Sequence, residues 1–378
     1  MKRVIPLLIV IALLSSCASI LETERLTVTP HAELELPEPN PETPEASNRA
    51  ELRTALYGIF RRGQTRGSIN IFEYDGDLEA ELGEIRDDII LRDAVAAYAL
   101  SDMSVSVTPI VSFFEVHVEF AYRRTREQID GITNASTLRY LRSELAEMMG
   151  DYRPDAAIRT TIPNITDTDV LQYLTEIYYE NPLDIVMLPI VTATIYPENP
   201  SDGAERLIEL TFGYSQPTAV LQRFGGWLRS AAGDVAAAAS GSNDAEILLS
   251  LCEGLADLAE YDAAASELSE YPTQSLSATA YGALLGGSAI GEGYAMAYKA
   301  LCDELSLPCI VVLGTRDGLP HAWNIASYDG AYYHIDAALC DTDGIGAGFF
   351  KSDTEMSDNY EWDREKYPVC NGTERVNL

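Results

Sequence analysis

His321 and Asp336 are the residues of this 378-residue chain whose types and spacing suit nucleophilic catalysis. Asp329-Gly330 separates two apolar runs, a pattern that favours a two-residue hairpin turn. With Tyr328 and Ala331 flanking that turn, Trp323 stands opposite Asp336 and His321 opposite Ala338, so His321 and Asp336 become diagonal neighbours on one face. A carboxylate in that position fixes the tautomer of the imidazole, which can then take a proton from a thiol or hydroxyl. A purely structural His–Asp contact fits the same spacing.

The elements that must position the pair are also legible. Ile310-Val311-Val312-Leu313 reads as a short strand before the hairpin. Upstream, Tyr294, Ala297, Tyr298, Leu301 and Leu305 recur at helical spacing after Gly291, and Gly286-Gly287-Ser288 breaks the chain before them. An earlier helix is marked by Ile247, Leu248, Leu251, Leu255 and Leu258. Other motifs fail. Gly291-Glu292-Gly293 lacks both the preceding strand and the third glycine of a dinucleotide fingerprint. Asp75-Gly76-Asp77 and Asp341-Thr342-Asp343-Gly344 lack the closing glutamate of a calcium loop. Cysteines 252, 302, 309, 340 and 370 form no CxxC pair and no zinc spacing, so neither metal nor cofactor is expected. If a disulfide forms, Cys340 to Cys370 is the expected pairing.

Four segments occur in an informative order: Ala280-Tyr281-Gly282-Ala283-Leu284, Gly287-Ser288-Ala289-Ile290-Gly291-Glu292-Gly293-Tyr294-Ala295, His321-Ala322-Trp323-Asn324 and His334-Ile335-Asp336. Together they resemble the bacterial transglutaminase-like family over about residues 244 to 372, trailing through Phe350-Lys351-Ser352-Asp353 and Tyr367-Pro368-Val369-Cys370. The resemblance implies a papain-type α+β fold with a cysteine at a helix start, a histidine on one strand and an aspartate on the next. By that match His321 is the base and Asp336 its orienting acid, but Gly291 stands where the family keeps its nucleophilic cysteine. A thiol there would be activated by the helix dipole and the imidazolium; glycine offers no nucleophile. The substitutes are poor: Glu292 would form an unstable anhydride, Ser288 lies outside any nucleophile elbow, and Cys302 is three helical turns away. Cys309 reads as a core residue.

The expectation is a non-catalytic domain whose former cleft, lined by Trp323, Tyr294, Tyr332 and Tyr333, binds a peptide, protein or cell-wall ligand. An acyl-transfer enzyme with a relocated nucleophile and a passive spacer are the competing readings.

At the other end, Lys2 and Arg3 precede an apolar run, Val4 to Leu14, and then Cys17. The run is shorter than the roughly 18 to 20 residues that span a bilayer. Leu14-Ser15-Ser16-Cys17 resembles a bacterial lipobox, which implies cleavage before Cys17, its lipidation and display as a membrane-anchored lipoprotein outside the cytoplasm. Residues 17–48 then read as a Pro- and Glu-rich tether that cannot bury a core. The formal net charge of −33 excludes nucleic acid as a natural partner, because phosphate recognition needs clustered Lys and Arg.

Between tether and C-terminal domain, residues 49–235 read as two tandem α+β units. Thr108-Pro109-Ile110-Val111 is matched by Leu188-Pro189-Ile190-Val191, and Val118-Glu119-Phe120-Ala121-Tyr122 by Leu210-Thr211-Phe212-Gly213-Tyr214. The offsets differ by 12 residues, assigned to a longer hairpin loop at Tyr196 to Gly203. Each copy is expected to run helix, strand, strand, helix. Ala231 to Ser242 reads as a boundary passage, though its alanines could also extend a helix, with residues 240–378 as the last domain.

Overall fold

The structure, a computed structural model, describes residues 40, 42–198, 204–267 and 274–373. Cys17, the leader and most of the tether lie outside them. The chain is α+β, and its main elements fall on three four-stranded sheets.

The first sheet is built from β1 (Glu45–Ala46), α1 (Arg49–Arg61), β2 (Arg66–Ile71), α2 (Leu78–Arg92), α3 (Ala94–Ala99), β3 (Leu100–Pro109) and β4 (Phe114–Tyr122), in strand order β1-β2-β4-β3. The second contains β5 (Thr133–Ala135), α4 (Leu138–Gly150), β6 (Asp155–Thr160), α5 (Asp167–Glu180), β7 (Ile190–Tyr196) and β8 (Arg206–Gly213), in the same order, β5-β6-β8-β7. In both, the outer short strand is parallel to its neighbour and the other pairings are antiparallel. Each copy runs strand, helix, strand and then the expected helix, strand, strand, helix, the closing helix being Arg126–Asp130 in the first and Thr218–Ala238 in the second. The first copy carries an additional helix, α3, before β3.

Register aligns the copies. Phe120 N donates to Thr65 O as Phe212 N donates to Pro154 O. Val118 faces Gly67 and Val105, as Leu210 faces Ala156 and Ala193. The other expected match fails, because Thr108 and Pro109 end β3 whereas Leu188 and Pro189 precede β7. Val105 and Ala193 are 88 positions apart and Val118 and Leu210 are 92, so the hairpins differ by four residues, not twelve. Local caps set the helix starts: the Thr166 side chain accepts from Asp169 N and the Asp169 carboxylate returns a bond to Thr166 N, a capping box that opens α5.

α6 (Thr218–Ala238) takes up the alanines of the expected boundary passage, since alanines favour helix, and ends at Ala238, leaving Ala239 to Asn243 to connect it to the next helix. Phe224 of α6 stacks on Tyr281 with ring centroids 4.2 Å apart. The second unit and the C-terminal elements consequently share one hydrophobic core, while the first unit has its own.

The C-terminal elements are α7 (Asp244–Ala256), β9 (Glu260–Tyr261), β10 (Ser288–Ala289), α8 (Gly291–Glu304), β11 (Cys309–Arg316), β12 (Leu319–Tyr328), β13 (Ala331–Ile335), α9 (Ala337–Asp343), α10 (Asp353–Met356) and β14 (Tyr360–Trp362). Their sheet has the order β13-β12-β11-β14. α8 is buried from Gly291 to Cys302 and acts as the central helix, which explains a sequence apolar on more than one face. Among the described residues no helix is long and apolar enough to cross a membrane.

Candidate functional site

The hairpin that carries the candidate base pairs Tyr328 with Ala331 and Asn324 with Ile335. Asp329 (φ 47°) and Gly330 (φ 77°) both take the left-handed backbone that a two-residue primed turn requires. That register puts His321 Nε2 2.7 Å from Asp336 Oδ2. Asp336 follows β13 and caps α9, its Oδ1 accepting from Leu339 N at 3.0 Å. Tyr360 OH adds a third donor, 2.6 Å from Oδ2. Burial alone would raise the Asp336 carboxyl, but the His321 charge and the hydrogen bonds from His321, Tyr360 and Leu339 N outweigh it and hold the group below its ordinary value. Burial and the neighbouring Asp336 charge push the Tyr360 hydroxyl up, so it stays a donor.

With Nε2 committed to Asp336, the Nδ1 edge of His321 faces the start of α8. A Cβ built on Gly291 would lie 2.5 Å from both Nδ1 and Cε1 of His321 and 3.3 Å from Ala322 O. Ordinary carbon contacts begin near about 3.5 Å, so the ring occupies the room that a side chain at 291 would need. Gly293 is different. Its Cβ would overlap Ser277 O, a backbone atom that cannot swing away. Glycine at 293 is demanded by the backbone, glycine at 291 chiefly by the His321 side chain, with Ala322 O as a tight second neighbour.

α8 opens on Ile290, which offers no side-chain cap, and Ile290 N donates to Ser277 O at 2.9 Å. The acidic residue of the first turn is Glu292, fully buried, whose Oε1 accepts from Tyr179 OH at 2.6 Å. Tyr179 belongs to α5, so the second unit reaches the residue next to Gly291.

A second histidine–carboxylate pair joins the same hairpin, through His334 of β13, to Asp353 at the start of α10. Trp323 Nε1 donates to His334 Nδ1 at 2.9 Å, and His334 Nε2 is 2.8 Å from Asp353 Oδ1. Because indole only donates, Nδ1 must be the acceptor and Nε2 carries the proton. Burial lowers the His334 pKa, against the opposing pull of Asp353. His334, Asp353 and Cys370 are also the one group of described residues grouped closely enough to hold a metal, their ligand atoms within 4.8 Å of one another. The Trp323 bond speaks against that use, since it keeps the proton on the nitrogen that would have to ligate.

The expected cleft lining is corrected by burial. Trp323, Tyr294 and Tyr333 are at most 1% exposed and only Tyr332, at 40%, meets solvent. Trp323 is held by His334, Tyr294 OH by Ala259 O and Asp341 Oδ2, and Tyr333 stacks on Phe350. These are core side chains because the helix and sheet they join close over them. Gly291 itself is buried and His321 is 4% exposed.

All five cysteines of the described residues are buried, and three of their thiols are raised. Cys302 sits at the far end of α8, where burial and a hydrogen bond with Cys309 raise its pKa. Cys252 is raised by its hydrogen bond with Cys340 and by burial, and burial beside Asp353 pushes Cys370 up to about 12. Cys340 thus contacts Cys252 rather than the expected Cys370, because α9 packs on α7 while Cys370 lies beside α10. Sequence reasoning missed Tyr360, the His334–Asp353 pair and Tyr179. A signal existed for the pair, as both residues fall inside the quoted motifs; none existed for Tyr179, 113 positions from Glu292.

No family model matches the chain, and no curated protein matches it. Among solved structures it is similar to one described as a TGase, at 11% identity and TM-score 0.27, over 58% of this chain and 60% of that one. It is also similar to a "Putative Cysteine Protease from Cytophaga hutchinsonii", at 14% identity and TM-score 0.24, over 40% of this chain and 62% of that one. The chain therefore spans about three fifths of the length of each of these structures.

Proposed function

We propose that this chain is an exported, lipid-anchored protein whose C-terminal third is a transglutaminase-type domain that performs no acyl transfer and serves in binding. One observation carries the reading: the His321 ring, oriented by Asp336, has closed onto the place where a side chain at 291 would stand. A covalent acyl intermediate needs an attacking atom beside the base, and glycine supplies none. The order of the motifs around Gly291, His321 and Asp336 supports the family reading, and the raised thiols of Cys252, Cys302 and Cys370 argue against a relocated cysteine nucleophile. With Trp323, Tyr294 and Tyr333 buried, a peptide, protein or wall-associated ligand would be held by exposed surface rather than by the closed cleft.

Amine incorporation into a glutamine-containing peptide and hydrolysis of that peptide test the claim. Both rates should match those of His321→Ala; turnover that His321→Ala abolishes would sink it. The anchor is tested separately: Cys17→Ala should leave the membrane fraction, and persistent membrane association would place the anchor elsewhere.

A further inference from the structure

A groove of about 790 Å³ lies at the hairpin end of the first sheet, far in sequence from the closed cleft. Its apolar lining is Ile71, Val107 and Phe113 together with the exposed side chains of Val111 (80%) and Phe114 (47%). Glu73, Asp77 and Glu79 line it as well, Asp77 also capping α2 by accepting from Ala80 N. Residues 71–79 hold four carboxylates and no Lys or Arg, the fourth being Asp75. Among the described residues none of the four is in an ion pair, and Arg49 on the neighbouring helix is already engaged by Glu84 and Asp88. A volume in this range, an apolar lining and unneutralised carboxylates are the features of a binding groove.

We propose that this groove docks a basic peptide segment that places an aliphatic or aromatic anchor between Lys or Arg side chains. Charge selects this occupant. The chain's own preceding segment carries Glu33, Glu35, Glu38 and Glu42, of the same sign as these carboxylates, and a second copy brings a net charge of −33. A cationic segment satisfies the apolar and acidic lining together, the anchor desolvating against Val111 and Phe114 and the cations meeting the carboxylates. The inference rests on the reading of the chain as a binding protein and names the ligand class and its place.

The test uses the mature chain and a short fluorescent peptide with Leu and Phe between lysines, beside a counterpart with glutamate for each lysine. Anisotropy should show binding of the lysine peptide only, weakening as salt rises. Val111→Asp and Phe114→Asp should each lower affinity by about tenfold, the scale of losing a buried anchor contact. Glu73→Gln combined with Glu79→Gln should erase the preference for lysine. Unfolding midpoints should stay unchanged, since these side chains are exposed. No binding of the lysine peptide overturns the proposal. Binding that survives all three variants overturns the groove as its site while leaving a binding role for the chain.

Discussion

Two histidine–aspartate pairs, each with a buried histidine, meet at the β12–β13 hairpin, yet the surroundings of the second nitrogen separate them. His334 is satisfied on both sides, by the Trp323 indole and by Asp353, and its tautomer is locked. His321 is held on one side by Asp336 and turns its other edge to Gly291. A histidine–carboxylate contact therefore says little about catalysis. The informative feature is what stands at the second nitrogen: the indole of Trp323 at His334, and the start of the buried helix α8 at His321.

The comparison is tested most strongly at Asp336. Asp336→Ala removes the acceptor for His321, Tyr360 and Leu339 N together and leaves them bare in the core, so unfolding free energy should fall by about 3–5 kcal/mol. A loss below about 1 kcal/mol in urea titration would mean that the carboxylate does not anchor the site. A smaller effect is expected for Trp323→Phe, which takes the donor from His334 Nδ1: about 1–3 kcal/mol for the unsatisfied nitrogen and the lost packing. If His334 is a strut, adding Asp353→Asn to Trp323→Phe should cost less than the two separate losses combined, a coupling that a double-mutant cycle reads. The weakest effect is in pH. Burial holds the folded His334 below its ordinary value of 6.5. Below that pH the unfolded chain binds a proton that the folded chain does not, so stability falls with acidity, by at most about 1.4 kcal/mol per unit. His334→Gln should flatten that slope. Asp336, lowered in the folded state, contributes stability that is lost only at more acid pH, as the medium falls through the ordinary carboxylate value of 3.8 toward the folded one.

How much of this was legible follows from range. Asp329-Gly330 and period-two alternation are local, and they carried the β12–β13 register and hence the His321–Asp336 approach. Strand β4 was legible in the same way, Val116, Val118 and Phe120 buried at alternate positions. The match of Val118–Tyr122 with Leu210–Tyr214 held because a strand's inward residues impose the same pattern on both copies. The match of Thr108–Val111 with Leu188–Val191 did not, because four residues of turn-flanking sequence carry no register. Burial was the blind spot. Tyr294, Trp323 and Tyr333 are amphipathic side chains whose hydroxyl or indole groups find partners 11 to 47 positions away or stack on distant rings, so their types alone suited a cleft as well as a core. The Tyr179–Glu292 bond depends on how the second unit packs against α8, which no local pattern encodes.

The most direct test of the central claim is the alkylation rate of Gly291→Cys by iodoacetamide across pH, in the parent and with His321→Ala or His334→Gln added. The cysteine requires the His321 ring to retreat by about 1 Å to reach ordinary contact. It should then titrate below the usual thiol value of about 8.5, as expected for a thiol at a helix N-terminus beside an imidazole. His321→Ala should return it to that value and His334→Gln should leave it lowered. An ordinary thiol pKa that neither substitution moves would mean that Gly291, His321 and Asp336 do not form the vestige of a catalytic site.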